Sequence, residues 1–154
     1  MKSAGRTGDQ LETLLLTPPR DAIKAKALLL VGLGDEDALS LKLLEGVGRV
    51  ALREAARLGV SRVAFAPLIR DQGNTALPTG DVETAVVRAM LLAYDTERRL
   101  QKEGFAKAYA LEEWWVEAGP AYYDETVMGA KKASADATDL IKSRGSKPYV
   151  SGKP

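Results

Sequence analysis

Short apolar runs separated by turn formers alternate along this chain with longer segments of helical periodicity. Residues 11–16, LETLLL, have the length of a strand, and Pro18 and Pro19 stop them. Residues 27–31, ALLLV, form a continuous apolar run that Gly32 and Gly34 end. Such a run predicts a central strand covered on both faces. Residues 41–58 carry Leu43, Val47, Val50, Ala51, Ala55 and Leu58 on one stripe and Lys42, Arg49, Arg53 and Arg57 opposite. That spacing predicts an amphipathic helix, with Ser40 at its N-cap and Gly59 at its stop.

Residues 62–67, RVAFAP, read as a further short buried strand, followed by a turn-rich loop at 68–80, LIRDQGNTALPTG. Asp81 then caps a helix running to about Gln101. Its middle, AVVRAMLLAY, is apolar nearly all round, which predicts burial on two sides, the sheet and a subunit contact. Residues 113–118, EWWVEA, suit a last strand, with a helix as the competing reading. Pro120 opens a final helix with Tyr123, Val127, Ala130, Ala137 and Ile141 along one face. This alternation predicts an α/β fold, a three-layer α/β/α sandwich with a mixed, mainly parallel sheet. The expected organisation is a disordered segment 1–10, one domain over 11–145 and a flexible tail 146–154.

Composition narrows the chemistry more than the fold. The chain has 154 residues, enough for one core, with 22 basic and 21 acidic side chains and a net charge of +1. The balance gives no pull toward nucleic acid or an anionic membrane. Arg49, Arg53 and Arg57 share their helix side with Glu45 and Glu54 and have no aromatic residue among them, so they read as a solvated face. Cysteine and histidine are both absent. Thiol chemistry, disulfides and His-based dyads are therefore excluded, and no metal site or cofactor is expected. No apolar run approaches the ~18 residues of a membrane span, and a cytoplasmic location is expected.

Two loops are candidate ligand cradles. The strand end LLLVGLGDED, residues 28–37, brings Gly32, Gly34 and Asp35 to a strand-to-helix turn of the kind that meets phosphates. Asp37 stands where a dinucleotide fingerprint needs its third glycine, and three adjacent carboxylates repel phosphate. A turn with solvated acids is the bland and stronger reading. In the loop 68–80, Arg70, Gln72, Gly73, Asn74, Thr79 and Gly80 offer donors before a helix N-terminus, against the alternative of simple turn chemistry. Trp114, Trp115, Tyr122 and Tyr123 cluster late in the chain. In a strand the two tryptophans face opposite ways, so one should meet solvent or a partner.

The order TLLLTPP (13–19), LLLVGLGDED (28–37), RVAFAP (62–67) and AMLLAYDTERRLQ (89–101) resembles the N-terminal domain of the leucyl (cytosol) aminopeptidases. The similarity runs over about residues 8–118, and the GLGDED turn is its most specific piece. The resemblance implies a macro-domain-like fold and a hexameric enzyme whose two-metal chemistry lies in a separate C-terminal domain. That domain's NTDAEGRL segment is not present in this chain, so no catalytic residue is assigned. The first strands and helix of the family pattern also do not precede residue 8, which predicts an unprotected sheet edge.

A non-catalytic binding or assembly module is the leading expectation, working as a homo-oligomer or with an aminopeptidase-type partner chain. The alternative is a macro-like module for a nucleotide or ADP-ribose-type ligand held by residues 32–35 and 68–80. A small hydrolase with an Asp or Glu base is a weaker third.

Overall fold

Ser40 and Gly59 bound the first long helix, α1 (Leu41–Leu58), in the computed structural model of the chain, which describes residues 9–67, 69, 73–107 and 111–144. The Ser40 hydroxyl accepts the Leu43 amide at 3.2 Å, and Gly59 closes the helix in the left-handed region at φ 68°. Both boundaries are those the sequence predicts.

Before α1 come β1 (Thr13–Leu16) and β2 (Leu28–Val31), an antiparallel pair with Leu14 opposite Leu30 and Leu16 opposite Leu28. After it, β3 (Arg62–Phe65) pairs in parallel with β4 (Glu113–Val116). A parallel pair needs a long crossover, and α2 (Thr79–Lys102) supplies it. The last helix, α3 (Tyr123–Ser143), follows a single 3₁₀ turn at Pro120–Tyr122. Residues 113–116 are thus a strand, which resolves the helix alternative. The fold is α/β, but among the described residues the strands form two separate two-stranded sheets, one of them antiparallel.

The core lies between the helices and one strand face. Leu44, Val47 and Leu52 of α1 meet Val82, Val86, Met90 and Ala93 of α2, with Val31, Phe65 and Trp114 of the strands packed against them. Trp114 stacks obliquely on Phe65, ring centroids 6.0 Å apart. The expectation that 27–31 and 62–67 are buried on both faces does not hold. Both strands alternate exposed and half-buried positions, because all three helices leave their outer faces uncovered. On that outer face Leu14, Leu16, Leu28 and Leu30 are 55, 39, 40 and 51 % exposed.

The apolar girth of α2 has an internal explanation. One flank meets α1 and the other meets α3, so no subunit contact is needed to bury it. The approach is close on both flanks. A Cβ on Gly48 of α1 would lie 2.5 Å from the Val86 carbonyl oxygen, and one on Gly129 of α3 would lie 2.5 Å from the Gly80 oxygen and 2.9 Å from Glu83 Cβ. The buried stripe of α3 is accordingly Thr126, Gly129, Ala133 and Ala137. The predicted face is rotated from this one: Ala137 is shared, whereas Tyr123 is exposed. Small residues won the contact because larger ones cannot fit against the α2 backbone. Arg88, from the middle of α2, pairs with Glu45 of α1 and reaches Asp136 of α3 at 3.9 Å.

Of the segment 1–10 expected to be disordered, residues 1–8 lie outside the described residues, as does the expected flexible tail 146–154; Asp9 and Gln10 are described, and the Asp9 carbonyl accepts the Glu12 amide at 3.1 Å. Gly48→Ala and Gly129→Ala should each destabilise the domain by about 1–3 kcal/mol, since neither neighbouring backbone can yield. Gly119→Ala, with open space around it, should be neutral to slightly stabilising. Urea midpoints at constant m-value distinguish the two cases.

Candidate functional site

The first predicted cradle follows β2. Gly32 donates its amide to the Glu12 carbonyl at 2.8 Å, and its own carbonyl accepts from Leu11 at the same distance. Both backbone groups extend the β1–β2 ladder. Gly34 takes φ 71°, a left-handed conformation that suits glycine, and Gln10 lies over it. Asp35 is exposed and caps the 3₁₀ turn Glu36–Ala38 without a side-chain hydrogen bond.

Of the second cradle, Arg70 and Gln72 lie outside the described residues. Gly73 has φ 88°, and no atom of the described residues lies within 4 Å of where a side chain would stand. Asn74 donates its amide to Ile69 O at 3.1 Å, and its side-chain oxygen accepts from Ala76 N at 3.1 Å, closing an Asx turn. Gly80 packs against α3, and its carbonyl accepts the Thr84 hydroxyl at 2.7 Å. Thr79 begins α2 and borders a cavity.

That cavity, of about 180 Å³, lies at the carboxyl ends of the parallel strands β3 and β4. Ligands favour this end of parallel α/β units. Pro67 and Ile69 come from the β3 side and Glu117 to Ala121 from the β4 side. Thr79, Val82 and Glu83 of α2 and Thr126 of α3 complete it. Its described charged lining residues, Glu83 and Glu117, are both acidic.

Glu83 was not among the predicted site residues. It is 2 % exposed, and its Oε1 is buried without a hydrogen-bond partner among the described residues. Desolvation pushes its carboxyl up to about 7. A sequence signal existed: Glu83 stands three residues before Val86 and seven before Met90, on the apolar face of α2. A carboxylate at that spacing is either paired or held ready for a ligand. Trp114 shows the complementary orphan, a buried Nε1 donor with no partner.

The tryptophan expectation holds. Trp114 faces the core, whereas Trp115 is 66 % exposed on the outer face, its indole donating to Glu113 at 3.0 Å. The arginine stripe is a solvated face: Arg57 pairs with Glu54 at 2.6 Å and Arg53 with Glu97 at 3.5 Å. Among the described residues no three His, Cys, Asp or Glu side chains are grouped to hold a metal, and no helix is long and apolar enough to cross a membrane.

Helices on one side of short strands, a glycine-rich β2 end and a parallel pair crossed by α2 define an α/β domain. The chain belongs to the cytosol aminopeptidase family: the model of that family's N-terminal domain matches residues 1–103, from before β1 to the last turn of α2. No curated protein matches the chain.

Glu83 gives the domain a calculable pH signature. A carboxyl whose folded pKa is raised binds its proton more tightly when folded, so its ionisation opposes folding. The penalty is absent below about pH 4.5, grows through the interval and is complete above about pH 7, amounting to about 3 kcal/mol. Glu83→Gln should therefore gain stability over the parent as pH rises across this window. Paired urea titrations at several pH values would check it; a difference independent of pH would refute the assignment.

Proposed function

We propose that this chain is a non-catalytic assembly module, and that its uncovered sheet face packs against a second copy of itself. The observation that carries this reading is the outer face of β1 and β2, where four leucines sit side by side and exposed. Soluble domains rarely leave such a face bare. A partner laid over it would provide the third layer that a macro-like α/β/α sandwich requires.

The magnitudes favour a weak contact. Burying the remaining half of four leucines on each of two copies contributes on the order of 6–12 kcal/mol, comparable with the cost of association. Further apolar area is needed, and Trp115 on the outer face of the other sheet offers it. The contact is self-complementary: an all-leucine face carries no charge to repel its copy, and a net charge of +1 opposes association very little. A cytoplasmic setting and action beside an aminopeptidase chain fit membership of the cytosol aminopeptidase family.

The second reading is a macro-like module for a nucleotide or ADP-ribose-type ligand. The position of the cavity at the strands' carboxyl ends favours it. The acidic lining and small volume weigh against a diphosphate there. Saturable ADP-ribose binding lost on replacing Gly34 or Gly73 by a bulky residue would support this reading over assembly.

Sedimentation of the parent should show reversible dimers at micromolar to millimolar concentration. The variant Leu14→Glu/Leu30→Lys should remain monomeric with an unchanged helical signal. A parent monomeric throughout would overturn self-association, and a complex formed only on adding an aminopeptidase catalytic chain would reassign the face to that partner. Metal-dependent release of N-terminal leucine from a peptide by the purified chain would refute the non-catalytic role.

A further inference from the structure

The cavity at the carboxyl ends of β3 and β4 contains a carboxyl group for which the described residues supply no partner. Glu83 projects from the second turn of α2 and lines the cavity, fully buried, with Oε1 unbonded. A buried carboxylate left in this state costs several kcal/mol. The hydroxyl of the adjacent Thr84 is engaged elsewhere, bonding the Gly80 and Gly129 carbonyls at 2.7 and 3.3 Å.

We propose that this cavity binds a small organic cation, a protonated primary amine bearing a compact apolar group, with Glu83 as its ion-pair partner. The inference does not rest on the assembly reading, because the cavity and the outer leucine face involve different residues. Three observations select this ligand class. Glu83 and Glu117 give the described lining only negative charge, which attracts a cation and repels phosphate or carboxylate. Pro67, Ile69, Val82 and Ala121 form apolar walls, which suit an aliphatic group.

The third is size: about 180 Å³ is several times what one water needs, yet below the roughly 300 Å³ of a drug-sized site. A divalent ion is a poor fit, since such ions take six or more oxygen ligands and no cluster of three acidic side chains exists among the described residues. The terminal torsion of a glutamate is soft, so the carboxyl can turn an oxygen toward an ammonium group. An ammonium placed there offsets the desolvation that burial imposes on the carboxylate.

The experiment is calorimetric titration of the full chain with three probes of one shape, namely isobutylamine, isobutanol and isobutyrate. The amine should bind saturably at one site, and the alcohol and the acid should not. Glu83→Gln, isosteric and uncharged, should weaken amine binding about tenfold or more. Ala121→Phe, at the exposed rim and outside the helical core, should abolish it by filling the mouth. This second variant keeps the test intact if Glu83→Gln fails to fold. Absence of saturable amine binding by the parent would overturn the proposal and leave the cavity to water. Equal affinity in Glu83→Gln, or binding of isobutyrate as tight as that of the amine, would overturn it as well.

Discussion

The backbone of α2 is approached on two flanks more closely than any side chain allows, and the rest of the architecture depends on that contact. Gly48 of α1 faces the Val86 carbonyl and Gly129 of α3 faces the Gly80 carbonyl, each at a distance a Cβ would violate. Close approach multiplies dispersion contacts along three helices. It also explains why α3 can be held with hardly any large buried side chain, through Ala133 and Ala137. Arg88, reaching Glu45 on one flank and Asp136 on the other, fixes the same three elements electrostatically. Because α2 is also the crossover between β3 and β4, its position sets where those strands end and where its own first turns meet them.

Packing the helices against one strand face and against one another leaves nothing for the other face. The register makes the consequence concrete: Leu14 opposite Leu30 and Leu16 opposite Leu28 form two apolar rows without a cover. Strand pairing satisfies backbone groups but buries only one side of a pleated sheet. A sequence that places leucine at both inward and outward positions of β2 is specified for two coverings, and the described residues supply one.

The parts legible in the sequence are those governed by local rules. Ser40 and Gly59 act within one helical turn, and their effects are the same in any context. Pairing and coverage are set by distant segments, and there the sequence was ambiguous. The run 27–31 announces a strand, yet periodicity cannot say whether one chain covers both faces. The stripe of α3 was misplaced because Tyr123, Val127 and Ile141 outweigh Gly129 and Ala133 on any hydrophobic scale, whereas steric room against α2 reverses the order. In the candidate site, attention to glycines and loop donors found Thr79, at the edge of the cavity, and passed over Glu83, whose signal was a charge in an apolar register.

Family membership constrains these features unequally. The match to residues 1–103 takes in β1, β2, β3 and α2, hence the leucine face and Glu83. The opposite wall of the cavity, Glu117 to Ala121 with Thr126, lies beyond residue 103. Half of the cavity, Glu83 included, is thus family framework, while the half that adds Glu117 and forms the mouth is not covered by the match. Exposed leucines and a buried unpaired carboxylate both violate the rules that otherwise organise this chain, and such violations persist in natural domains where function offsets their cost. Fold likeness alone could not have chosen between them. The physical cost does: the leucines lose little by waiting in water for a partner, whereas Glu83 is under a desolvation penalty in every folded molecule until a proton or a cation relieves it.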